Sequence, residues 1–306
     1  MSGRKEQDMQ REKWIERKLS MQPQLIKDYM LSAKRKTSST RKAYLGYIIQ
    51  YVEFISSQGI KLTDVKPLYI DRYVDYISKD NGNSIVNTKL AAVSDFYEFL
   101  KRNDFVQINP LKNIAKLKME KKETVVYMTE EEVVKIKETA VKNKVKYKNR
   151  DLCIITLGCA TGLRVSAIRN IDIEDIDFDN MSISVVEKGN NKRDIYIGEN
   201  TTKMIKQWMS DRERICGNNS GPLFVSQKHN RIAVRTIETM IHNSSKGIDK
   251  HITPHKMRST CAMKLYGKTG DIYLTAQQLG HANIANTMIY AKATEEKRRE
   301  AAILLD

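Results

Sequence analysis

The side chains best suited to chemistry in this chain are hydrogen-bond donors that accompany one tyrosine. His255 and Arg258 form a His-x-x-Arg pair, His281 follows a glycine, and Tyr290 comes nine residues later. Arginine and histidine donors suit an anionic centre with delocalised charge, such as a phosphate undergoing displacement. A tyrosine among them is a natural nucleophile, because its phenol gives a stable aryl phosphate ester. The set therefore indicates chemistry at a phosphodiester.

Two further donors lie upstream of this set. Arg164 ends the segment Thr-Gly-Leu-Arg, where a guanidinium can hold two non-bridging phosphate oxygens in a bidentate fork. Lys188 lies in a Gly-Asn turn, from which a lysine can protonate a leaving oxygen, since desolvation near cations lowers a lysine pKa. Lys192 is a rival in the same turn. Taken singly, each of these residues is equally typical of a solvated surface.

The element that must position the His-x-x-Arg pair is a helix beginning at Pro254. Thr253 can act as its N-cap, and proline suits the first helical position. His255 then falls in the first turn, where the helix dipole favours an anion, and Arg258 lies on the same face. The other interpretation of this segment is an ordinary capped helix with two exposed polar residues.

The tyrosine segment follows a helix that ends at Gly280. Asn283 or Asn286 can cap the next helix, which carries Tyr290. Tyr266 and Tyr273 are nearby competitors without comparable context, and we expect them to lie in the core or at the surface. Tyr290 differs from these two tyrosines in its spacing, nine residues after the Gly-His pair.

Ahead of these elements, residues 21–111 have a helical pattern throughout. Helices are predicted over about 38–58, 67–79 and 84–103, the first with apolar residues at three- and four-residue spacing and Ser38, Ser39 or Thr40 as its cap. These helices predict a small helical bundle. Residues 1–20 form a charged, basic lead-in for which we expect no clear role in the core.

Residues 112–125 are lysine-rich, aperiodic and preceded by a proline, which favours an interdomain linker over a loop within one domain. Residues 126–291 form a second region, in which Thr129 caps a helix and an apolar helix over 151–169 is interrupted at Gly162. Strand-like alternation over 171–179, 182–188 and 193–198 predicts a small sheet with a β-hairpin. Residues 292–306 form a short amphipathic tail.

Composition and charge limit the function classes. The chain has 306 residues, enough for two domains, with 53 Lys+Arg against 37 Asp+Glu and a net charge of +16. The basic excess is spread over both halves, which suits a protein that grips a polyanion from more than one side. There is no apolar stretch long enough for a membrane span and no secretory signal at the start, so we expect a cytoplasmic protein.

The four cysteines and five histidines do not have the spacing of a zinc site. Cys153 and Cys159 lie in an apolar run, and we expect buried, reduced, structural thiols.

Five segments of the chain resemble, in their order and separation, the motifs of the tyrosine recombinase (phage integrase) family, and within it those of the Xer-like or simple integrase-like enzymes. They are Thr-Gly-Leu-Arg, the Glu-Lys-Gly-Asn-Asn turn, Thr-Pro-His-Lys-Met-Arg, Leu-Gly-His and the terminal Asn-Thr-Met-Ile-Tyr-Ala. The resemblance spans the whole chain. It implies a mainly α fold with a small antiparallel β-sheet: an N-terminal SAM-like helical bundle over 21–111 that binds the core DNA site, and a mixed α+β catalytic domain over 126–291.

The resemblance also implies a role for each candidate. Arg164 and Arg258 would clamp the phosphate, Lys188 would protonate the leaving 5′ oxygen, His255 would handle a proton, His281 would donate to the transition state and Tyr290 would attack. The reaction would be a transesterification through a 3′-phosphotyrosine, with no cofactor, neither ATP nor metal. The partner would be double-stranded DNA at a specific site. Four copies of the chain would form a homotetramer on two duplexes and exchange their C-terminal tails. The gene would belong to a bacterial chromosome or a mobile element.

Two positions depart from the family pattern: Ala167 stands where an acidic residue is usual, and Ser259 stands where a second histidine is frequent. Two other functions compete with recombination. A type IB topoisomerase would use similar active-site chemistry to relax DNA, and a non-catalytic DNA-binding protein would need all six candidates to be coincidental.

Overall fold

In the computed structural model of the chain, residues 3–118, 125–143, 146–186, 192–281, 283–292 and 302–303 are described. The chain divides into two compact units, 1–121 and 122–306. Both are mainly helical and the second also contains a small antiparallel sheet, which confirms the predicted fold class. Within the described residues, no helix has the length and apolar character that crossing a membrane requires.

The first unit contains five α-helices in its described residues. They are α1 (Gly3–Leu19), α2 (Gln24–Ser32), α3 (Ser38–Ser57), α4 (Pro67–Ser78) and α5 (Asn83–Arg102). The predicted helices over 38–58, 67–79 and 84–103 are confirmed as α3, α4 and α5; α4 begins with Pro67, and the apolar residues Leu90, Val93, Phe96, Tyr97 and Leu100 of α5 are buried. Burial of such stripes against one another supplies most of the stability of a bundle of short helices.

Three buried tyrosine hydroxyls of this bundle have polar partners. The hydroxyls of Tyr51 and Tyr97 are 2.9 Å apart, and Tyr29 donates to Asp95 over 2.6 Å. Lys36 also binds Asp95, at 3.0 Å. These partners satisfy hydroxyls that would otherwise be costly to bury.

Two local predictions for this unit were wrong. The cap of α3 is Thr37, whose side chain accepts from the Thr40 amide, rather than Ser38, Ser39 or Thr40. The lead-in over 1–20 does have a core role, because α1 packs on α3 and its Ile15 is 1% exposed. Because α1 has so many charged residues, its single buried stripe does not stand out in the sequence. The residues on which this stripe packs are also distant along the chain.

The first half of the predicted linker lies against α5. Leu117 exchanges two hydrogen bonds of 2.9 Å with the Asn87 side chain, and Asn83 donates to the Lys118 carbonyl. Leu111 is buried in the same core. The asparagines thus give residues 112–118 fixed backbone partners on the bundle.

In its described residues, the second unit contains the sheet and eight α-helices. They are α6 (Glu130–Asn143), α7 (Lys148–Thr161), α8 (Val165–Asn170), α9 (Glu199–Cys216), α10 (Val234–Ser244), α11 (Pro254–Thr269), α12 (Ile272–Leu279) and α13 (Met288–Lys292). The predicted cap of α6 is confirmed as a reciprocal capping box, in which the Thr129 hydroxyl accepts from the Glu132 amide and the Glu132 carboxylate accepts from the Thr129 amide.

The sheet has the order β1-β2-β3 and is antiparallel, with β1 (Ile176–Asp177), β2 (Ser182–Val186) and β3 (Lys192–Tyr196). The predicted long strand over 171–179 was wrong. Asp172 and Asp175 form a capping box around a 3-10 turn there, leaving two residues for β1. Asparagine and aspartate side chains that bond to nearby backbone compete with strand pairing, which explains the difference.

All four cysteines are free thiols, and Cys153 and Cys261 are buried. Cys159 is half-buried rather than buried, and desolvation raises its pKa to about 12. Burial likewise raises the pKa of Cys261 to about 11. A thiol with so high a pKa is a poor nucleophile, in keeping with the structural role expected of these residues.

Candidate active site

The Thr-Gly-Leu-Arg segment forms the corner between α7 and α8. Gly162 ends α7 in the left-handed conformation, with φ 65°, and Arg164 is the N-cap residue of α8. A Cβ at Gly162 would lie 2.6 Å from a Leu279 methyl group, so glycine is required by packing as well as by φ. The predicted helix break is confirmed, and it places Arg164 at a partly exposed helix start.

Arg258 joins this corner to the turn before His281. Its Nη1 donates to the Gly162 carbonyl over 2.8 Å and its Nη2 donates to the Leu279 carbonyl over 2.6 Å. The residue is 3% exposed. One guanidinium therefore fixes two backbone turns, because its planar fork reaches two acceptors at once. The three segments that carry Arg164, Arg258 and His281 meet at this point.

His255 lies in the first turn of α11, as predicted. Proline occupies the first position of this helix and Thr253 is its N-cap residue, although within the described residues the Thr253 side chain makes no capping hydrogen bond. Desolvation by neighbouring atoms lowers the pKa of His255, and the positive charges of Lys256, Arg258 and Arg164 lower it further. The exposed imidazole therefore favours its neutral form and can accept a proton.

His281 directly follows the left-handed Gly280, which ends α12 with φ 64°. Its backbone amide donates to the Ala276 carbonyl over 3.0 Å, and its Nδ1 is 2.8 Å from the Thr287 hydroxyl. This second contact fixes the orientation of the ring through Nδ1. Asn283 then caps the following 3-10 turn, accepting from the Ala285 amide at 2.9 Å.

Tyr290 lies in α13 and is 1% exposed. Its ring belongs to a small apolar cluster with Ala262 and Met263 of α11 and with Leu279. It therefore packs on the same Leu279 whose carbonyl accepts from Arg258. Of the two competing tyrosines, Tyr273 is 73% exposed and Tyr266 is half-buried.

Lys188 lies outside the described residues, within 187–191. Its rival Lys192 is the first residue of β3, exposed and paired with Val186 in the ladder. Lys192 is thus part of the strand rather than of the turn in which we predicted it. The choice between the two lysines stays a prediction.

Two residues that the sequence did not single out hold the site together. The Arg193 guanidinium donates to the Gln277 and Gln278 carbonyls over 2.9 and 3.1 Å, and the Gln278 side chain donates to the Thr161 carbonyl over 3.3 Å. Their acceptors are backbone atoms more than 80 residues away, so spacing in the sequence gives no indication of these contacts. The one available signal was an arginine at the start of the predicted β3.

The two departures from the family pattern have local explanations. Ala167 lies on the buried side of α8, in the core of the second unit, where a carboxylate would need a partner. Ser259 is buried and its hydroxyl donates to the His255 carbonyl at 3.3 Å, one turn back in α11. Neither position interrupts the contacts made by Arg258.

Comparison with known proteins gives two family matches. Residues 126–297 match the Phage integrase family, and residues 26–104 match the Phage integrase N-terminal SAM-like domain. Because the first match covers more than half of the chain, the chain belongs to the phage integrase family, as the resemblance predicted. The two matches correspond to the region that carries the candidate site residues and to the helical bundle.

Among the relatives, the tyrosine recombinase XerC of Caldanaerobacter subterraneus subsp. tengcongensis is 28% identical over 90% of this chain and 83% of its own length. The XerC of Staphylococcus haemolyticus is 30% identical over 89% and 92%. Two solved structures have similar folds. The XerH recombinase bound to its difH substrate after cleavage has a TM-score of 0.72 and 19% identity, over 89% of this chain and 82% of that chain. A lambda integrase tetramer on a Holliday junction has a TM-score of 0.67 and 16% identity, over 86% of this chain and 76% of that chain.

Proposed function

We propose that this chain is a site-specific DNA recombinase that cuts and rejoins duplex DNA through Tyr290. The observation that carries the proposal is the Arg258 guanidinium, which joins the Gly162 and Leu279 carbonyls and so gathers three donor segments beside the tyrosine helix. Family membership and the recombinase names of the relatives support the same activity.

The reaction we propose is a transesterification. The Tyr290 oxygen attacks the scissile phosphorus and loses its proton, while the bond from phosphorus to the 5′ oxygen breaks. Arg164 and Arg258 neutralise the non-bridging oxygens, and His281 donates to them. His255, held neutral by its surroundings, accepts a proton. Lys188, or Lys192, protonates the departing 5′ oxygen, and the 3′-phosphotyrosine conserves the bond energy for rejoining.

The burial of Tyr290 adds a step before chemistry. Only 1% of the Tyr290 surface is exposed, so the side chain has little room to approach a phosphorus atom for in-line attack. We therefore propose that DNA binding shifts α13 away from Ala262 and Met263. The helix is five residues long and its Met288 and Ile289 are 42% and 48% exposed, so few contacts oppose the shift.

A type IB topoisomerase would share this chemistry but would release one strand to swivel. The match of residues 26–104 to an integrase-type SAM-like domain favours the recombinase. A non-catalytic DNA-binding protein is the third possibility. It is opposed by the grouping of His255 with Arg164 and Arg258, because a histidine that favours its neutral form beside two guanidiniums suits proton transfer at a phosphate better than attraction to DNA.

The test is covalent trapping on DNA. Suicide duplexes with a randomised core and a nick near the scissile position are incubated with the protein, and DNA that stays bound in detergent is sequenced to give the target site. With that site, two duplexes should exchange strands. Relaxation of any plasmid without exchange would instead identify the topoisomerase, and binding without an adduct on any duplex would identify the non-catalytic protein.

We also propose the domain assignment and location made from the sequence. Residues 21–111 would bind the core site, 126–291 would catalyse, and 112–125 would link the two. An enzyme acting on DNA in this way would work in the bacterial cytoplasm, on the chromosome or on a mobile element. The active species would be a tetramer, since two duplexes are each cut by two protomers.

The tail over 292–306 would dock on a neighbouring copy of the chain. A groove of about 980 Å³ in the second unit has partly exposed apolar walls, including Val134 at 55% and Leu274 at 42% exposure. Its rim is basic, with Lys137, Lys264 and Lys268. The tail ends in the apolar residues Ile303, Leu304 and Leu305, which suit the apolar walls of such a groove, while its four acidic and four basic side chains balance. Ile303 is 75% exposed in its own chain, so it does not fill that chain's groove.

Deletion of residues 297–306 should weaken cooperative assembly on DNA while a single protomer still binds a half-site. Val134→Asp in the groove should have the same effect. Val141→Asp, on the same helix but outside the groove, is the matched control and should assemble normally. Normal assembly and recombination by the truncated protein would exclude tail docking without affecting the proposed chemistry.

A further inference from the structure

Arg193 connects the sheet to the last turn of α12. It is the second residue of β3 and pairs with Val185 in the ladder, but its guanidinium extends to the carbonyls of Gln277 and Gln278. The two hydrogen bonds, of 2.9 and 3.1 Å, span more than 80 residues of sequence. They are the kind of contact that a planar fork makes with two successive carbonyls and that a lysine cannot reproduce.

That last turn is the point at which several parts of the site are joined. Three consecutive carbonyls, of Gln277, Gln278 and Leu279, accept from Arg193 and Arg258. The final carbonyls of a helix lack partners within the helix and carry partial negative charge, so two guanidiniums stabilise this end strongly. Gly280 follows directly and turns the chain to His281.

The same turn also contacts the corner that holds Arg164. The Gln278 side chain donates to the Thr161 carbonyl over 3.3 Å, and Arg258 donates to the Gly162 carbonyl. A displacement of this turn would therefore move His281 directly and would shift Arg258 and the corner before Arg164 through their hydrogen bonds. Loss of alignment by about 1 Å at a catalytic group lowers a rate on the order of 100-fold.

We infer that Arg193 is a positioning residue for the cleavage reaction: it fixes the end of α12 so that Arg258 and His281 face one phosphate. The inference rests on the proposed recombinase function for its effect on rate. The structural part of the inference is that Arg193 anchors residues 277–281. This part is independent of the proposed function and can be measured without DNA.

The first measurement is amide hydrogen exchange of the free, full-length protein. In Arg193→Ala, the Gly280 and His281 amides, which donate to the Gln277 and Ala276 carbonyls, should exchange about tenfold faster or more. Arg193→Lys should lie between Arg193→Ala and the original protein. Arg235→Ala is the control for lost charge, because that side chain is 88% exposed and it should leave these amides unchanged. Unchanged exchange in Arg193→Ala would overturn the inference.

The second measurement is single-turnover cleavage at saturating protein, on a phosphate substrate and on one with a neutral methylphosphonate at the scissile position. Arg193→Ala should cleave the phosphate about 10- to 100-fold more slowly, and most of that loss should disappear on the methylphosphonate. The neutral group has less negative charge for a misaligned Arg258 to neutralise. Arg193→Lys should recover part of the rate, and Arg235→Ala should cleave normally.

The outcomes separate the two proposals. If the original protein forms the adduct but Arg193→Ala cleaves at the same rate, the inference is wrong and the proposed function stands. Equal losses on both substrates would show a merely structural role and would also overturn it. If the original protein cleaves neither substrate, the proposed function fails, and the exchange measurement still decides whether Arg193 anchors the end of α12.

Discussion

The guanidinium of Arg258 and the carbonyl oxygen of Leu279 are 2.6 Å apart, and this hydrogen bond joins the helix of the His-x-x-Arg pair to the turn that precedes His281. The side chain of the same Leu279 packs in the cluster around Tyr290. Leu279 thus contacts Arg258 through its backbone and shares a cluster with Tyr290 through its side chain. The distance between the proposed phosphate clamp and the proposed nucleophile is therefore set by the packing of α11, α12 and α13.

Arg258→Lys should lower the rate of DNA cleavage about 100- to 1,000-fold, the usual effect of removing one donor to a transition-state anion. Lysine keeps the charge but cannot donate to the Gly162 and Leu279 carbonyls and to a phosphate together. Affinity for DNA should change little. Arg212→Lys is the matched control, since Arg212 is also buried and also donates to carbonyls, but in α9 away from the site. It should lose stability and still cleave at low temperature; a comparable loss of cleavage rate in both variants would contradict the assignment of Arg258.

Gly162→Ala should destabilise the second unit by at least about 2 kcal/mol, from the left-handed backbone and from the contact with Leu279. Denaturant unfolding followed by Trp208 fluorescence in a Trp14→Phe background reports on this unit, because Trp208 is buried in it.

The control for Gly162 is Gly267→Ala in α11, where a Cβ would meet no heavy atom within 4 Å in the described part of the chain. That change should be neutral or stabilise by about 0.5–1 kcal/mol, because alanine favours a helix interior. Equal stability of the two variants would show that the corner at Gly162 is not constrained as described.

The rate of cleavage should fall as the pH drops through the folded pKa of His255, which lies below the ordinary value of 6.5. Only the neutral ring accepts a proton, and it predominates above that pKa. Because the unfolded chain binds the proton more tightly, stability should also fall over the same window as the pH decreases from 6.5.

Lys256→Ala provides the sharper form of this test. Removing one of the charges that lower the pKa of His255 should raise that pKa, so the acid limb of the rate profile should move to higher pH. NMR titration of the His255 ring, assigned with His255→Gln, measures the shift directly. If the pKa of the His255 ring changes but the acid limb of the rate profile stays at the same pH, His255 does not take part in the proton transfer.

Arg212→Ala should destabilise the second unit by about 3–5 kcal/mol, because it leaves the carbonyls of Asn218, Ser220 and Pro222 without their donor. Arg214→Ala, two residues on and 75% exposed at its side chain, should change stability by no more than about 0.5 kcal/mol. Trp208 fluorescence again measures the difference. A small effect at Arg212 would show that water replaces the guanidinium without cost.

Much of this architecture follows from local sequence. Proline at the start of α4 and α11, glycine at 162 and 280, and the apolar stripe of α5 each act within one or two turns, so their effects can be predicted from the residues alone. The chemistry of the candidate site was likewise indicated by residue type and spacing.

The contacts that were missed are long-range or side-chain to backbone. Arg193 and Gln278 bind carbonyls, and any residue supplies a carbonyl, so no pattern marks the acceptor. The buried stripe of α1 is one turn wide within a highly charged helix. Asp172 and Asp175 form side-chain bonds to the backbone that outcompete the alternation of the predicted strand. Contacts in the folded chain decide these cases, and the residue pattern of a single sequence does not reveal those contacts.

The most direct test of the whole account is to identify the residue that becomes joined to DNA. A trapped adduct is digested with nuclease and protease, and mass spectrometry locates the phosphotyrosine. We predict the nucleotide on the peptide that carries Tyr290, with loss of the adduct but not of DNA binding in Tyr290→Phe. A nucleotide on Tyr266 or Tyr273, or an adduct that persists in Tyr290→Phe, would contradict the account.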